Sequence, residues 1–346
     1  MKMILLIIMI SNILFGFESP ETDFFASQKK SIQLSTGIEM KYIEEGNPDG
    51  DVLILLHGYT DTSRSFKNVV NEILLLNKSM RVIVPDLRGH GGSSMPSISQ
   101  GNGFEMQYFA ADILDLMSKK NISSAHFVGH SMGTIIAQEI ANSNPNKVQS
   151  LILLGAFVNG KKNKAIQEDL TGITEEWKRK LILKYGEDWK KESYSLTPEV
   201  LGEDVITFLK NEWVTEDTAP DHLLFSIFKE TSNLSLGTWF GALDALKKTD
   251  NTEKLNNIKA PVLVLWADGD LICPEREQDE VKEALKQAGQ KSKMPVLYKS
   301  YSLNKDTLQV GHNFHWALPK SVATDILLFI QQDKNFINRY SLSFSN

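Results

Sequence analysis

Hydrophobic and polar positions along the chain repeat with two different periods, and these periods predict most of its elements. The stretch "SIQLSTGIEMKYIEEG" alternates apolar and polar residues on both sides of Gly37, which is typical of a β-hairpin. "DVLILLHG" follows as a continuous apolar run, the pattern of a strand that is buried on both faces of a parallel sheet. Helical spacing marks other stretches, among them "FEMQYFAADILDLMSKKN".

The order of these segments predicts the fold class. Strand-like runs and helical stretches alternate as far as "VQSLILLG", and "APVLVLWADGD", "MPVLYKSYSL" and the closing helix "PKSVATDILLFIQQ" resume the pattern later. Such alternation is typical of a parallel sheet with helices on both faces. We therefore predict an α/β domain with a mostly parallel sheet.

A long stretch from residue 157 to 257 interrupts the alternation. Its pattern is helical and rich in Lys and Glu, and it carries Trp177, Trp189, Trp213 and Trp239. We predict one domain built from residues 18–156 and 258–346, with 157–257 as a helical insertion. The tryptophans could line an apolar pocket or pack within the insertion.

The amino terminus, "MKMILLIIMISNILFGF", has one lysine followed by an apolar run from Met3 to Phe15 that only Ser11 and Asn12 interrupt. This fits a secretory signal over residues 1–17, since a membrane span needs about 20 apolar residues. An uncleaved anchor or a buried first strand are the alternatives, because no A-x-A-like cleavage site follows. We expect export to the periplasm or the medium, with no membrane span in the mature protein.

Composition narrows the function further. The 346 residues suffice for one large α/β domain, and the net charge of −6 argues against a nucleic-acid partner, because no basic surplus neutralises phosphates. Cys273 is the only cysteine, which rules out an intrachain disulfide and a CxxC metal cluster. We interpret it as a bystander thiol in a loop and predict neither a cofactor nor a metal. The sequence leaves the oligomeric state unknown.

The segment Gly129-His130-Ser131-Met132-Gly133 matches the pattern G-x-S-x-G. It follows a predicted strand and precedes a predicted helix, which is the context in which this pattern presents a nucleophilic serine. Glycine fits here because the turn is tight and a side chain would collide with neighbouring elements. The alternative is a purely structural serine turn; the context favours Ser131 as a nucleophile.

A serine hydroxyl needs a base to take its proton and an acid to orient that base. In this architecture the acid and then the histidine follow the serine in the chain. The downstream histidines are His222, in the insertion, and His312 and His315 near the last helix. We predict His312 as the base, because it lies in the loop after the last strand, and interpret His315 as a packing or capping residue.

The acid should follow the strand "VLVLW", where both Asp268 and Asp270 qualify. Asp270 lies deeper in the loop and is preferred, whereas Asp268 would stabilise the turn at Gly269. Two backbone N–H groups should bind the oxyanion, and we predict those of Met132, at the start of a helix, and Tyr59. We interpret His57, Asp86, Arg88 and His90 as structural, and His126 as a strand residue without function.

Five segments occur in the order, and at nearly the spacing, found in the α/β-hydrolase superfamily: "LLHGYTDTSRSF", "VIVPDLRGHGGSS", "HFVGHSMGTIIAQEIANSNPNKVQSLILLG", "APVLVLWADGD" and "GHNFHWALP". Over residues 32–332 the chain resembles the capped, esterase- and haloperoxidase-like members most closely. The resemblance implies a sheet of about eight strands and a helical cap over the active site. It places the catalytic triad on Ser131, Asp270 and His312, and the oxyanion hole on Tyr59 and Met132.

The chain departs from the family pattern at three places. Ala267 replaces the glycine of the W-G-x-x-D motif, the interval from acid to base is longer than usual, and the insertion follows no known motif. Haloalkane dehalogenases and epoxide hydrolases are disfavoured, because they attack with an aspartate where this chain has Ser131.

We therefore expect a serine hydrolase that acts on a small or medium carboxylic ester, lactone or thioester through an acyl-enzyme on Ser131. The expected partner is a small-molecule acyl substrate. Alternatives with the same triad are a C–C bond hydrolase and a cofactor-free perhydrolase. The alternative outside catalysis is a hydrolase-fold receptor that binds its ligand with little or no turnover.

Overall fold

The computed structural model describes residues 24–97, 103–302 and 310–342. The predicted export signal over residues 1–17 lies outside these residues. Residues 303–309, between β8 and His312, also lie outside them. Within the described residues, none of the helices is long and apolar enough to cross a bilayer.

One mostly parallel sheet of eight strands forms the centre of the molecule, in the order β1-β2-β4-β3-β5-β6-β7-β8. β1 pairs with β2 and β2 with β4 in antiparallel orientation, and the other pairs are parallel. This confirms the predicted α/β class and the amino-terminal hairpin. The strands are β1 Lys30–Gln33, β2 Glu39–Gly46, β3 Val52–Leu56, β4 Arg81–Pro85, β5 Ala125–His130, β6 Val148–Leu154, β7 Val262–Ala267 and β8 Val296–Tyr301.

Helices cover both faces of this sheet, and a further group lies between β6 and β7. The α-helices are α1 Phe24–Ser27, α2 Lys67–Leu76, α3 Met106–Lys119, α4 Met132–Ser143, α5 Thr171–Tyr185, α6 Trp189–Glu192, α7 Glu203–Phe208, α8 Asp221–Ser232, α9 Leu236–Leu246, α10 Thr252–Leu255, α11 Glu275–Ser292, α12 Phe314–Ala317, α13 Pro319–Ile330 and α14 Lys334–Tyr340.

The continuous apolar runs form strands because each face of the sheet has its own core. In β3, Leu53 and Leu55 belong to the cluster that packs on α2, α13 and α14, whereas Ile54 and Leu56 belong to the cluster on α3, α4 and α11. Successive side chains of a strand point to opposite faces, so a strand buried on both faces must be apolar throughout. Each fully buried Leu or Ile stabilises the fold by about 1.5–3 kcal/mol.

Several helices were not predicted, among them α11 and α14. α11 has 18 residues and is highly charged, and only a narrow stripe that includes Val281, Leu285 and Ala288 is buried. Because most of its residues are polar, its few apolar positions do not stand out as a helical pattern in the sequence. α14 is short, and one of its residues, Phe336, is buried.

The chain between β6 and β7 contains only helical elements and connections, and we call it the helical insertion. It has an apolar cluster of its own, to which Trp177 and Trp239 belong. Five helices from α5 to α9, together with the π-helices Ala165–Leu170 and Leu209–Trp213, make up most of it. The exact boundaries of the insertion, residues 157 and 257, remain a prediction.

Candidate active site

Ser131 lies at a sharp turn between β5 and α4, with φ 50° and ψ −117°. A Cβ at Gly129 would lie 2.4 Å from the Gly133 carbonyl oxygen, and one at Gly133 would lie 2.1 Å from the Leu56 carbonyl oxygen. Both positions therefore require glycine. The Ser131 N–H donates to the Leu154 carbonyl oxygen at 3.0 Å, which ties the turn to β6. The strained backbone presents the Ser131 side chain to a cavity.

His312 and Asp270 form a hydrogen-bonded pair at the carboxyl end of the sheet. The His312 Nδ1 atom lies 2.8 Å from Asp270 Oδ2, and Asp270 Oδ1 accepts from the backbone N–H groups of Ile272 and Cys273 at 2.9 and 2.8 Å. A carboxylate partner places the proton on Nδ1, so that Nε2 carries the lone pair of the neutral ring. A Cβ at Gly155 would lie within 3.3 Å of both side chains, so this glycine makes room for the pair.

The electrostatic coupling of this pair favours a charged aspartate and a basic histidine. Burial lowers the pKa of His312, but the Asp270 carboxylate outweighs burial, with smaller contributions from Asp61 and Glu216, and the net pKa is raised. Burial raises the pKa of Asp270, yet His312 and the two backbone donors bring the net pKa below its usual value. The geometry thus provides an imidazole that can accept a proton and an anion that stabilises the imidazolium.

Other residues considered for these roles lie elsewhere. Asp268 accepts a hydrogen bond from Ser302 Oγ at 2.6 Å and does not contact His312. His222 lies exposed on α8. His315 is fully buried in α12, with Nε2 2.9 Å from Ser65 Oγ, and burial holds its pKa well below the usual value. Of the two candidate aspartates, Asp270 is therefore the one that contacts His312.

The two predicted oxyanion donors belong to two segments, the start of α4 and the turn after β3. Met132 is the first residue of α4, and the first N–H groups of a helix have no carbonyl partner within it. Tyr59 lies in the turn after β3 and lines the cavity beside Ser131. Its hydroxyl donates to the Trp239 carbonyl oxygen at 2.6 Å, which fixes the Tyr59 side chain against the helical insertion.

A cavity of about 380 Å³ joins these groups, and both Ser131 and His312 line it. None of its described lining residues is a lysine or an arginine. Trp213 lines the cavity, whereas Trp177 and Trp239 are buried in the cluster of the insertion, so the two predicted uses of tryptophan both occur. The main apolar lining residues are Phe157, Ile166, Leu170, Trp213, Val214, Leu246 and Ile272.

Three polar residues of the site were missed by the sequence analysis. His130 Nε2 donates to the His312 carbonyl oxygen at 3.0 Å, and His130 Nδ1 lies 3.7 Å from Asp61 Oδ2. Glu216 accepts hydrogen bonds from two backbone N–H groups next to His312. His130 could have been noticed as the variable residue of the G-x-S-x-G pattern, but no sequence signal marks Glu216.

The polar residues to which no catalytic role was assigned form hydrogen bonds and ion pairs with other parts of the chain. His57 Nδ1 donates to the Gly58 carbonyl oxygen at 2.9 Å, and its Nε2 accepts from the Leu87 N–H at 3.0 Å. Arg88 forms an ion pair with Asp112 at 2.6 Å. Further such contacts are Asp86 with Lys29, His90 with the Arg88 carbonyl oxygen, and His126 with Ser150. Cys273 is fully buried, and burial raises the pKa of its thiol well above the usual value.

Comparisons with known proteins agree with this architecture. A family model described as "alpha/beta hydrolase fold" matches residues 51–319. Lipase 1 of Psychrobacter immobilis is 27% identical over 266 residues, which cover 75% of this chain and 74% of that lipase. Lipase 3 of Moraxella sp. (strain TA144) is 26% identical over 75% of each chain. A thermophilic esterase from Thermogutta terrifontis has a similar structure, with a TM-score of 0.63 and 21% identity over 88% of this chain and 98% of that one.

Proposed function

The chain belongs to the alpha/beta hydrolase fold family, and we propose that it is a serine hydrolase of small or medium carboxylic esters, lactones or thioesters. The two lipase relatives support a hydrolase. The observation that carries the finer proposal is the 2.8 Å contact of His312 with Asp270 beside the cavity that Ser131 also lines. A serine on a strained turn and a carboxylate-bound imidazole are the parts that acyl transfer needs.

The first half of the reaction forms the acyl-enzyme. The Ser131 hydroxyl attacks the substrate carbonyl carbon while His312 Nε2 takes the hydroxyl proton. The carbonyl oxygen becomes an oxyanion, to which the N–H groups of Tyr59 and Met132 donate. When the tetrahedral intermediate collapses, the bond to the leaving alcohol or thiol breaks and the imidazolium of His312 returns the proton to it.

The second half releases the acid. Water loses a proton to His312 as its oxygen attacks the acyl carbon, and collapse of the second intermediate returns that proton to Ser131. Asp270 remains an anion throughout and holds the proton-bearing Nδ1 of His312. Each oxyanion donor in such a site lowers the barrier by about 3–4 kcal/mol, because the donors are fixed before charge develops.

The lining of the cavity supports a neutral, largely apolar acyl group. Aliphatic and aromatic side chains make up much of the lining, and Glu216 and Asp61 add negative charge near His312. With no lysine or arginine among the described lining residues, an acyl group that ends in a carboxylate has no counter-ion. We expect p-nitrophenyl pentanoate to be hydrolysed with a kcat/KM at least about tenfold above that of mono-p-nitrophenyl succinate, since like charges repel.

Labelling with a fluorophosphonate probe tests the proposal. We expect the protein to hydrolyse short-chain p-nitrophenyl esters and to be labelled, and Ser131→Ala to lose both properties. Labelling that persists in Ser131→Ala would show that the nucleophile is another residue. A wild-type protein that binds acyl ligands without turnover or labelling would instead favour a receptor, and turnover of dienones in preference to esters would favour a C–C bond hydrolase.

A further inference from the structure

Two peptide N–H groups that flank His312 donate to a single carboxylate of the helical insertion. Glu216 Oε1 accepts from the Gly311 N–H at 2.9 Å, and Glu216 Oε2 accepts from the Asn313 N–H at 3.2 Å. Glu216 is 6% exposed and lies in the connection between the π-helix Leu209–Trp213 and α8. The backbone of His312 is thus held on both sides by one side chain.

The peptide group of His312 itself is held by a second side chain. His130, next to Ser131 on the sheet, donates from Nε2 to the His312 carbonyl oxygen at 3.0 Å. Residues 310–313 precede α12 and belong to no helix or strand, so no ladder of backbone hydrogen bonds fixes them. Contacts from Glu216 and His130 supply the constraint that regular structure would otherwise give.

The same part of the insertion also holds the loop of the predicted oxyanion donor. Trp213 Nε1 donates to Thr60 Oγ1 at 2.9 Å, and Thr231 Oγ1 donates to the Thr60 carbonyl oxygen at 3.2 Å. Thr60 has a positive φ of 67°, a conformation that non-glycine residues adopt at a cost. The stretch of the insertion that carries Glu216 therefore contacts the loops of both the base and the oxyanion donor.

We propose that Glu216 is a positioning residue for His312, through which the docked insertion sets the geometry of the catalytic base. This inference rests on the proposed function, because it assigns Glu216 a role only if His312 transfers the proton of Ser131. The insertion then does more than cover the substrate. When it is docked as in the structure, it fixes the base and the Tyr59 loop together.

The chemistry of the contact explains why a glutamate is needed. Two N–H donors converge on it, and only a carboxylate offers two acceptor oxygens in that arrangement; glutamine would present an amide N–H₂ group to one of the donors. Aspartate keeps the charge but is one methylene shorter. The groups that face Glu216 are the N–H groups of Gly311 and Asn313, the imidazole of His312 and the neighbouring carboxylate of Asp217. Burial raises the pKa of Glu216 more than the two N–H groups lower it.

The test compares Glu216→Gln and Glu216→Asp with Asp221→Asn, an exposed carboxylate at the start of α8 that serves as the charge control. We expect both Glu216 variants to lower kcat by about 10- to 100-fold and to change KM by less than about threefold, because a displaced base slows chemistry more than binding. Glu216→Gln should also move the acid limb of the pH profile of kcat to lower pH, since a negative charge near the imidazolium is removed. Glu216→Asp should leave that limb near its wild-type position.

Three results would overturn the proposal. One is a Glu216→Gln enzyme with wild-type kcat and pH profile, and another is a loss that appears in KM alone. The third is loss of the native circular dichroism spectrum in both Glu216 variants, which would make the residue structural. A wild-type protein that a fluorophosphonate probe does not label would contradict the proposed function instead, so the two failures are distinguishable.

Discussion

The serine turn and the histidine loop, residues 310–313, are two halves of one proposed site, and they are held in different ways. Backbone atoms hold the serine turn: Gly133 packs against the Leu56 carbonyl oxygen, and the Ser131 N–H donates to the Leu154 carbonyl oxygen. Side chains hold the histidine loop, above all Glu216, which lies 95 residues before Gly311 in the chain.

This difference separates what a short motif can specify from what it cannot. The serine turn needs glycine wherever two backbones approach closely, and that requirement is written within five consecutive residues. The histidine loop needs partners that only the folded chain brings near, from β5, from the loop after β7 and from the helical insertion. Damage to the turn should therefore affect folding first, and damage around the histidine loop should affect catalysis first.

Removal of the Asp270 charge gives the largest expected effect on the histidine loop. Asp270→Asn keeps the shape of the side chain but loses the anion that holds the His312 tautomer and stabilises the imidazolium. We expect kcat/KM to fall by about 10³- to 10⁴-fold, as measured with a p-nitrophenyl ester, while the urea midpoint changes little. Asp268→Asn is the matched control and should stay within about twofold; equal losses in both variants would contradict the assignment of the acid.

The serine turn should respond in the opposite way to Gly133→Ala. The new Cβ would lie 2.1 Å from the Leu56 carbonyl oxygen, so the backbone of α4 or β3 must move. We expect a loss of about 3 kcal/mol or more in the free energy of unfolding, as measured by urea denaturation. Gly172→Ala is the control, since nothing lies within 4 Å of its Cβ position on α5, and there alanine should stabilise the helix by about 0.5–1 kcal/mol. Similar stability changes in both variants would contradict the close approach.

The same contrast between the serine turn and the histidine loop explains which parts of the molecule could be predicted from the sequence. The strands were predicted because a sheet buried on both faces requires continuous apolar runs, and Ser131 was located because its turn is encoded locally. Asp270 and His312 could be placed by chain order and by their positions after strands. The sequence predicted that these two side chains pair, and the structure shows them 2.8 Å apart.

The parts that were not predicted share a physical reason. α11 buries only a narrow stripe, so its charged surface conceals the helical period. Glu216 is 95 residues away in the chain from Gly311, which it contacts. The insertion has no repeated pattern, and nothing in the residues next to Glu216 indicates a contact with the histidine loop. Among the tryptophans, Trp213 reaches the cavity and Trp177 does not, a difference that depends on helix packing and not on residue type.

The smallest expected effect is a shift in pH dependence. In the proposed mechanism His312 must be neutral to accept the Ser131 proton, and its pKa is raised above the usual value of 6.5. Activity should therefore be lost as the pH falls through a value above 6.5, and it should be retained on the alkaline side of that value. A profile of kcat/KM between about pH 5 and pH 9 checks this. An acid limb well below 6.5 would contradict the coupling of His312 to Asp270.

The most direct test of the account is to trap the acyl-enzyme. After rapid mixing with excess p-nitrophenyl butyrate and acid quenching before the first turnover is complete, intact-mass spectrometry should show an added butyryl group. Peptide mapping should place that group on Ser131, and the p-nitrophenol released by the same time should match the amount of butyryl-enzyme plus the butyrate already formed. A butyryl group on another residue, or steady ester turnover that persists in Ser131→Ala, would contradict the account.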